Sequence, residues 1–153
     1  MSEKAVFGAG CFWGVEHAFN KLDGVSEAVS GFMGGDVADP SYQLVCTGET
    51  GHVEVVEVTY DPEVVSYADL LDTFWAVHDP TQLNRQGPDI GEQYRSVIFV
   101  NNEEQGKQAE EAMQALMEAG RYPKQVVTEI EPEGEFYRAE EYHQRYYAKM
   151  GRQ

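Results

Sequence analysis

The chain has 153 residues, 42% of them hydrophobic and 25% charged, which matches one compact domain with its own core and excludes a disordered chain. Its 11 Lys and Arg against 27 Asp and Glu give a formal net charge of −16, which repels phosphate backbones and anionic membrane surfaces. Nucleic acid and membrane are therefore not expected as partners, and the acidity reads as a hydrated surface.

The elements follow from periodicity and punctuation. Lys4 to Ala9 reads as a short apolar strand ending in Gly8 and Gly10, and Cys11 to Leu22 carries helical spacing through Val15, Ala18, Phe19 and Leu22 until Gly24 stops it. A second strand runs from Val25 to about Met33. Gly34-Gly35 and Asp39-Pro40 then open a loop that passes Tyr42 and Cys46 and closes at Gly51. Loops of this length in compact domains are usually functional, so an ordered functional loop is expected.

His52 to Tyr60 is the clearest strand, closed by Asp61-Pro62, and Tyr67 to Val77 forms a helix with Leu70, Leu71, Phe74 and Trp75 as its stripe. A second long loop, His78 to Tyr94, precedes a strand at Ser96 to Val100. The β-α-β-β-α-β order predicts a ferredoxin-like split motif, a two-layer α+β sandwich within one domain spanning the 153 residues. Additional C-terminal elements follow as helix, strand and helix: Glu103 to Ala119 behind an Asn102 cap, Gln125 to Glu131, and Ala139 to Met150.

Two cysteines, Cys11 and Cys46, are too few for a disulfide scaffold and lack zinc-ligand spacing, which favours a reducing compartment. Gly8-Ala9-Gly10-Cys11 faintly resembles a lipoprotein cleavage site, but only Ala5 to Gly10 precede it where about 7 to 15 apolar residues are needed, and no run approaches the roughly 20 residues of a membrane span. A cytoplasmic protein is expected.

Candidate chemistry begins at Cys11. A cysteine where a strand meets a helix faces the unpaired amides of the helix N-terminus, which stabilise a thiolate. A small buried hydrophobe is the equally open alternative. Phe12 and Trp13 follow it, and because consecutive helical residues point about 100° apart, at least one of them must leave the core stripe and stay near the cysteine. Strand alternation puts Glu54 on the face of Val56, Val58 and Tyr60, where desolvation holds a proton on a carboxyl and makes it a candidate general acid. A solvent-facing strand end is the commoner fate of such a glutamate. Tyr42, Asp89 and Tyr94 fall in the two long loops and are free to converge on a site or to serve as surface anchors. No histidine has metal-ligand spacing, so no metal is assigned.

The pentapeptide Gly10-Cys11-Phe12-Trp13-Gly14 closely resembles the signature of A-type peptide methionine sulfoxide reductases. Gly48-Glu49-Thr50-Gly51-His52-Val53-Glu54, Tyr60-Asp61-Pro62 and the run from His78-Asp79-Pro80 through Asp89-Ile90-Gly91 to Gln93-Tyr94-Arg95-Ser96 extend the likeness in order. Glu140-Glu141-Tyr142-His143-Gln144 continues it near the C-terminus. The resemblance implies reduction of methionine S-sulfoxide, free or in proteins, with no bound cofactor; a monomer is expected. It implies Cys11 as nucleophile passing through a sulfenic acid, Glu54 as acid, Phe12 and Trp13 against the substrate methyl group, and Tyr42, Asp89 and Tyr94 around the sulfoxide oxygen.

The reductant it implies is an external thiol: thioredoxin, glutaredoxin or a small molecule. Many relatives carry resolving cysteines near the C-terminus, and here no cysteine follows Cys46. Cys46 reads as a spectator beside Tyr42, with resolution of the sulfenic acid through movement of its loop as the alternative. Two other readings stay open: a cysteine hydrolase with His52 or His143 as base, and a non-catalytic binding module.

Overall fold

The computed structural model describes residues 2–10, 12–35, 37–38, 40–47, 50–86, 89–120, 125–140 and 143–144, with the side chain of residue 92 left out. Strand β1 (Glu3–Ala9) leads to helix α1 (Phe12–Asn20), strand β2 (Val25–Met33), the short helix α2 (Tyr42–Cys46) and strand β3 (Val53–Tyr60). Helix α3 (Tyr67–Ala76) follows, then a two-residue hairpin of β4 (Arg85–Gln86) and β5 (Asp89–Ile90), strand β6 (Ser96–Val100) and helix α4 (Glu103–Glu118). Strands β7 (Glu129–Pro132) and β8 (Tyr137–Arg138) complete the described elements.

Six strands form one sheet in the order β7-β6-β1-β3-β2-β8. Strand β1 is antiparallel to both β3 and β6, and β2 is antiparallel to β3, so each helical crossover skips one strand and another fills the gap. The class is α+β, as the periodicity implies. Helix boundaries are set by local chemistry. Ser66 and Asp69 form a reciprocal capping box at α3, and Asn102 accepts the Gln105 amide at 2.8 Å to start α4.

The sheet buries both faces. Phe7, Val56, Val58 and Ile98 point to one side, where Phe12, Val15 and Phe19 of α1, Leu70 and Phe74 of α3, and Ala109 and Leu116 of α4 cover them. Val6, Val53, Val55, Val97 and Phe99 point to the other, with Met33 and Phe136 packed among them. Glu54 is paired across the ladder with Phe32 and shares the face of Val56, as alternation requires.

Three expectations are corrected. The first long loop is not irregular throughout, because Ser41 accepts the Leu44 amide at 3.1 Å and nucleates α2; the second contains the β4–β5 hairpin and a 3₁₀ turn at Glu92–Tyr94. The strand expected at Gln125 to Glu131 begins only at Glu129, since Val127 spends its amide on the Pro80 carbonyl at 2.8 Å instead of the ladder. The helix expected from Ala139 does not begin there. Tyr137 and Arg138 pair with the β2 edge, and Ala139 continues that ladder by donating to the Ser30 carbonyl at 2.9 Å. Residues 145–150 of that expected helix lie outside the described residues.

Candidate active site

At the C-terminal end of β1 the chain must turn from strand to helix within three residues. Gly10 makes the turn with φ of 95°, and a Cβ there would approach Gln86 Cγ to 2.8 Å, so only glycine fits. Helix α1 then opens with Phe12, whose amide donates to Glu54 Oε1 at 3.2 Å. Cys11 itself lies outside the described residues.

Glu54 is only 1% exposed. Its Oε2 has no hydrogen-bond partner among the described residues, while Oε1 has the Phe12 amide. Burial pushes the carboxyl up to about 8; the Phe12 amide pulls the other way and the nearby Asp89 charge adds to the rise. At neutral pH the carboxyl therefore keeps its proton. Asp89 reaches this position because β5 pairs Asp89 with Gln86, and Gln86 is fixed by two bonds to the Asp79 backbone at 2.9 and 2.6 Å.

Helix α2 brings two more groups to the same carboxyl. The Tyr42 hydroxyl feels Glu54 and Tyr94 and is hydrogen-bonded to the Cys46 thiol; burial above all, together with these neighbours, raises its pKa, so it remains a neutral donor. The Cys46 thiol is bonded to Tyr94 as well, and burial and the Glu54 charge raise its pKa against those two hydroxyls. Cys46, read from sequence as a spectator, is thus in contact with two of the candidate site residues.

Beside this polar group stands an aromatic cup. Phe12 is fully buried and lies 5.6 Å from Phe32, 6.0 Å from Tyr42 and 5.4 Å from His143 between ring centroids. Trp13 is partly buried, stacks on Tyr42 at 6.2 Å and on His143 at 5.6 Å, and donates its indole N–H to His143 Nδ1 at 3.0 Å. Both aromatics after the cysteine therefore join one cluster of rings with Tyr42 and His143.

His143, which the sequence offered only as the base of a hydrolase, stands among these rings. It is 1% exposed, and burial lowers its pKa, which keeps Nδ1 an acceptor for the indole. Gln144 holds it there by imitating a strand: it accepts the Ser30 amide at 3.0 Å and donates to the Ser30 and Ala139 carbonyls at 2.9 and 3.0 Å. Glu140 accepts the Tyr42 amide at 3.2 Å, so one C-terminal segment ties α1, α2 and β2 together. The one available signal was the family-like Glu140-to-Gln144 stretch. His52, considered as a base, spends both ring nitrogens on the loop, accepting the Gly35 amide at 3.0 Å and bonding the Val37 carbonyl at 2.7 Å.

The α+β fold, with a buried acid that keeps its proton and a cluster of aromatic rings at the start of α1, matches an oxidoreductase. A sequence profile for "Peptide methionine sulfoxide reductase" matches residues 3–153, and the chain belongs to that family. The peptide methionine sulfoxide reductase MsrA of Methanothermobacter thermautotrophicus is 63% identical over 150 residues, covering 98% of this chain and 89% of its own. Among solved structures, reduced Mxr1 from Saccharomyces cerevisiae superposes with a TM-score of 0.89 at 35% identity, covering 99% of this chain and 87% of its own. Methionine sulfoxide reductase A of Corynebacterium diphtheriae gives 0.85 at 39%, covering 97% and 74%.

Proposed function

We propose that this chain reduces methionine S-sulfoxide, free and within proteins, with Cys11 as the attacking thiolate and Glu54 as the acid. The observation that carries the reading is the Glu54 carboxyl: buried, protonated at neutral pH, with one oxygen unpartnered and the other on the amide that follows Cys11.

Attack of a thiolate on a sulfoxide sulfur places growing negative charge on the oxygen, so the rate depends on donors aimed at that atom. Glu54 supplies a proton and the Tyr42 and Tyr94 hydroxyls supply hydrogen bonds; Asp89 acts through its charge by keeping the Glu54 proton in place. The Phe12 and Trp13 rings hold the apolar methyl end, which orients sulfur toward the thiolate. Oxygen passes from the substrate to Cys11 with the Glu54 proton, so the thiolate becomes a sulfenic acid, methionine leaves, and Glu54 is left ionised.

An external thiol, of thioredoxin, glutaredoxin or small-molecule type, returns the enzyme to its reduced form. Yeast Mxr1 has been solved in complex with Trx2, which supports a thioredoxin-like partner. Among the described residues no helix is long and apolar enough to cross a membrane; a cytoplasmic setting is proposed from the two-cysteine composition. The test is Cys11→Ser assayed for methionine released from each sulfoxide epimer with dithiothreitol. Loss of all turnover on the S epimer is expected, and retained reduction overturns the reading.

A further inference from the structure

We propose that Gln86 is a positioning residue of the reductive step, bracing Asp89 and the glycine turn ahead of α1 against the backbone of Asp79. The inference rests on the reductase reading above and extends it to a residue that acts through Asp89.

The brace is built from one side chain. Gln86 Oε1 accepts the Asp79 amide at 2.9 Å and Nε2 donates to the Asp79 carbonyl at 2.6 Å, so both ends of the side-chain amide are used on one residue. A side chain that only donates or only accepts cannot close that pair. Asp79 is itself fixed: its carboxylate accepts the Thr81 amide at 2.9 Å and the Thr81 hydroxyl at 2.6 Å, and the next residue, Pro80, gives its carbonyl to the Val127 amide at 2.8 Å. On its other side the Gln86 stem covers Gly10, where a Cβ would lie 2.9 Å from Gln86 Cβ and 2.8 Å from Cγ. Its backbone pairs with Asp89, and beyond the Arg85–Ile90 pair the Gly91 amide donates to the Asn84 carbonyl at 2.9 Å.

Both ends of this brace lead to Glu54. The Gly10 turn sets the start of α1, whose Phe12 amide donates to Glu54 Oε1 and favours the ionised carboxyl, while the Asp89 charge opposes ionisation of the same group. From α2, Tyr42 and Cys46 also feel Glu54. Strands β4 and β5 form a two-stranded sheet of their own, so no rung of the six-stranded ladder holds Asp89, and the Gln86 side chain supplies the tie that the main sheet does not. Releasing it lets the Asp89 charge move away from Glu54, and the carboxyl then gives up its proton at lower pH.

The experiment is the pH profile of single-turnover methionine release from methionine S-sulfoxide for the full chain, Gln86→Met, Asp89→Asn and the double variant. Methionine keeps the stem on Gly10 and loses both bonds to Asp79. Gln86→Met is expected to release methionine about 10- to 10²-fold more slowly at neutral pH, the order expected of a loosened placement. Its alkaline limb should lie at lower pH than that of wild type. In the Asp89→Asn background, where the charge is already gone, the same substitution should leave the limb where Asp89→Asn alone puts it. Gln86→Asn, one methylene shorter and left with at most one of the two bonds, should shift the limb the same way by less, and it repeats the test if the methionine variant does not fold. A limb that stays at the wild-type position in a folded Gln86 variant, or one displaced equally with and without Asp89, overturns the positioning role and leaves the reductase reading standing. If the wild-type chain releases no methionine, the reductase reading falls and takes this inference with it.

Discussion

Glu54 and His78 are two titratable groups that burial holds in the neutral form, and they differ in what surrounds them. The His78 ring donates from Nδ1 to the Phe74 carbonyl at 2.7 Å, and that carbonyl fixes the tautomer. Nε2 therefore accepts from Ser96 Oγ at 2.7 Å, and Ser96 is bonded in turn to Thr128 Oγ1 at 2.7 Å. Both ring nitrogens are used. Its exposed edge borders a groove of about 750 Å³ lined by Trp75, Ala112 and Leu116, a region that contains none of the candidate site residues. Glu54 has one oxygen without a partner among the described residues, and its charge is felt by Tyr42 and Cys46. A buried polar group with every partner in place fixes structure, whereas one left short of a partner is held ready for a substrate atom.

The comparison is broken most severely by Glu54→Gln. Glutamine can still accept the Phe12 amide through its oxygen, and it donates hydrogen bonds, but it has no proton to give. The reductive step is expected to slow by about 10²- to 10⁴-fold, the usual contribution of a general acid, measured as single-turnover methionine release. Wild-type rates should fall as pH rises past about 8, where the Glu54 carboxyl ionises. That alkaline limb should be missing from the variant, and its persistence would show that another group carries the proton.

Removing the other partner tests the structural side. His78→Ala deletes a ring packed on Phe74 at 4.5 Å and Trp75 at 6.4 Å and leaves the Phe74 carbonyl and Ser96 hydroxyl each short of a bond. A loss of about 2–4 kcal/mol is expected in urea unfolding. The limb near pH 8 in the methionine-release profile should survive, because the Asp89 charge that raises Glu54 is held through Gln86 by the Asp79 backbone and not by the His78 ring. A shifted limb would show the two groups coupled through Asp79.

Much of this was readable in the chain, and the division has a physical cause. Valine-rich alternation identified β3 and placed Glu54 on its buried face, and apolar stripes marked α3 and α4, the latter behind its Asn102 cap. These are local patterns with a period. Strands β4, β5 and β8 have two residues each, too few to show any period, and exist only through their pairing partners. The His143 contact joins residues 130 positions apart, and no spacing near Trp13 announces it. The contact of Cys46 with Tyr94 was hidden for the same reason, since Tyr94 belongs to the other long loop.

The smallest expected effect separates the two groups by sign. The His78 imidazole is lowered by burial from 6.5 to about 4, so between those values the unfolded chain binds the extra proton and stability rises with pH. The Glu54 carboxyl is raised from 4.5 to about 8, so over that span the folded protein holds the extra proton and stability falls with pH. Where the windows overlap, from 4.5 to 6.5, the two contributions oppose one another and largely cancel. Each variant should uncover the slope that the other group hides. Relative to wild type, Glu54→Gln should gain stability with rising pH across the overlap, and His78→Ala should lose it, each by up to about 1.4 kcal/mol per pH unit for one proton. Urea midpoints of the three proteins at pH 5, 5.5 and 6 measure this as differences, in which every other titrating group drops out. Parallel lines for the three would mean that neither group is held neutral by the fold, and the general-acid role of Glu54 would lose its electrostatic basis.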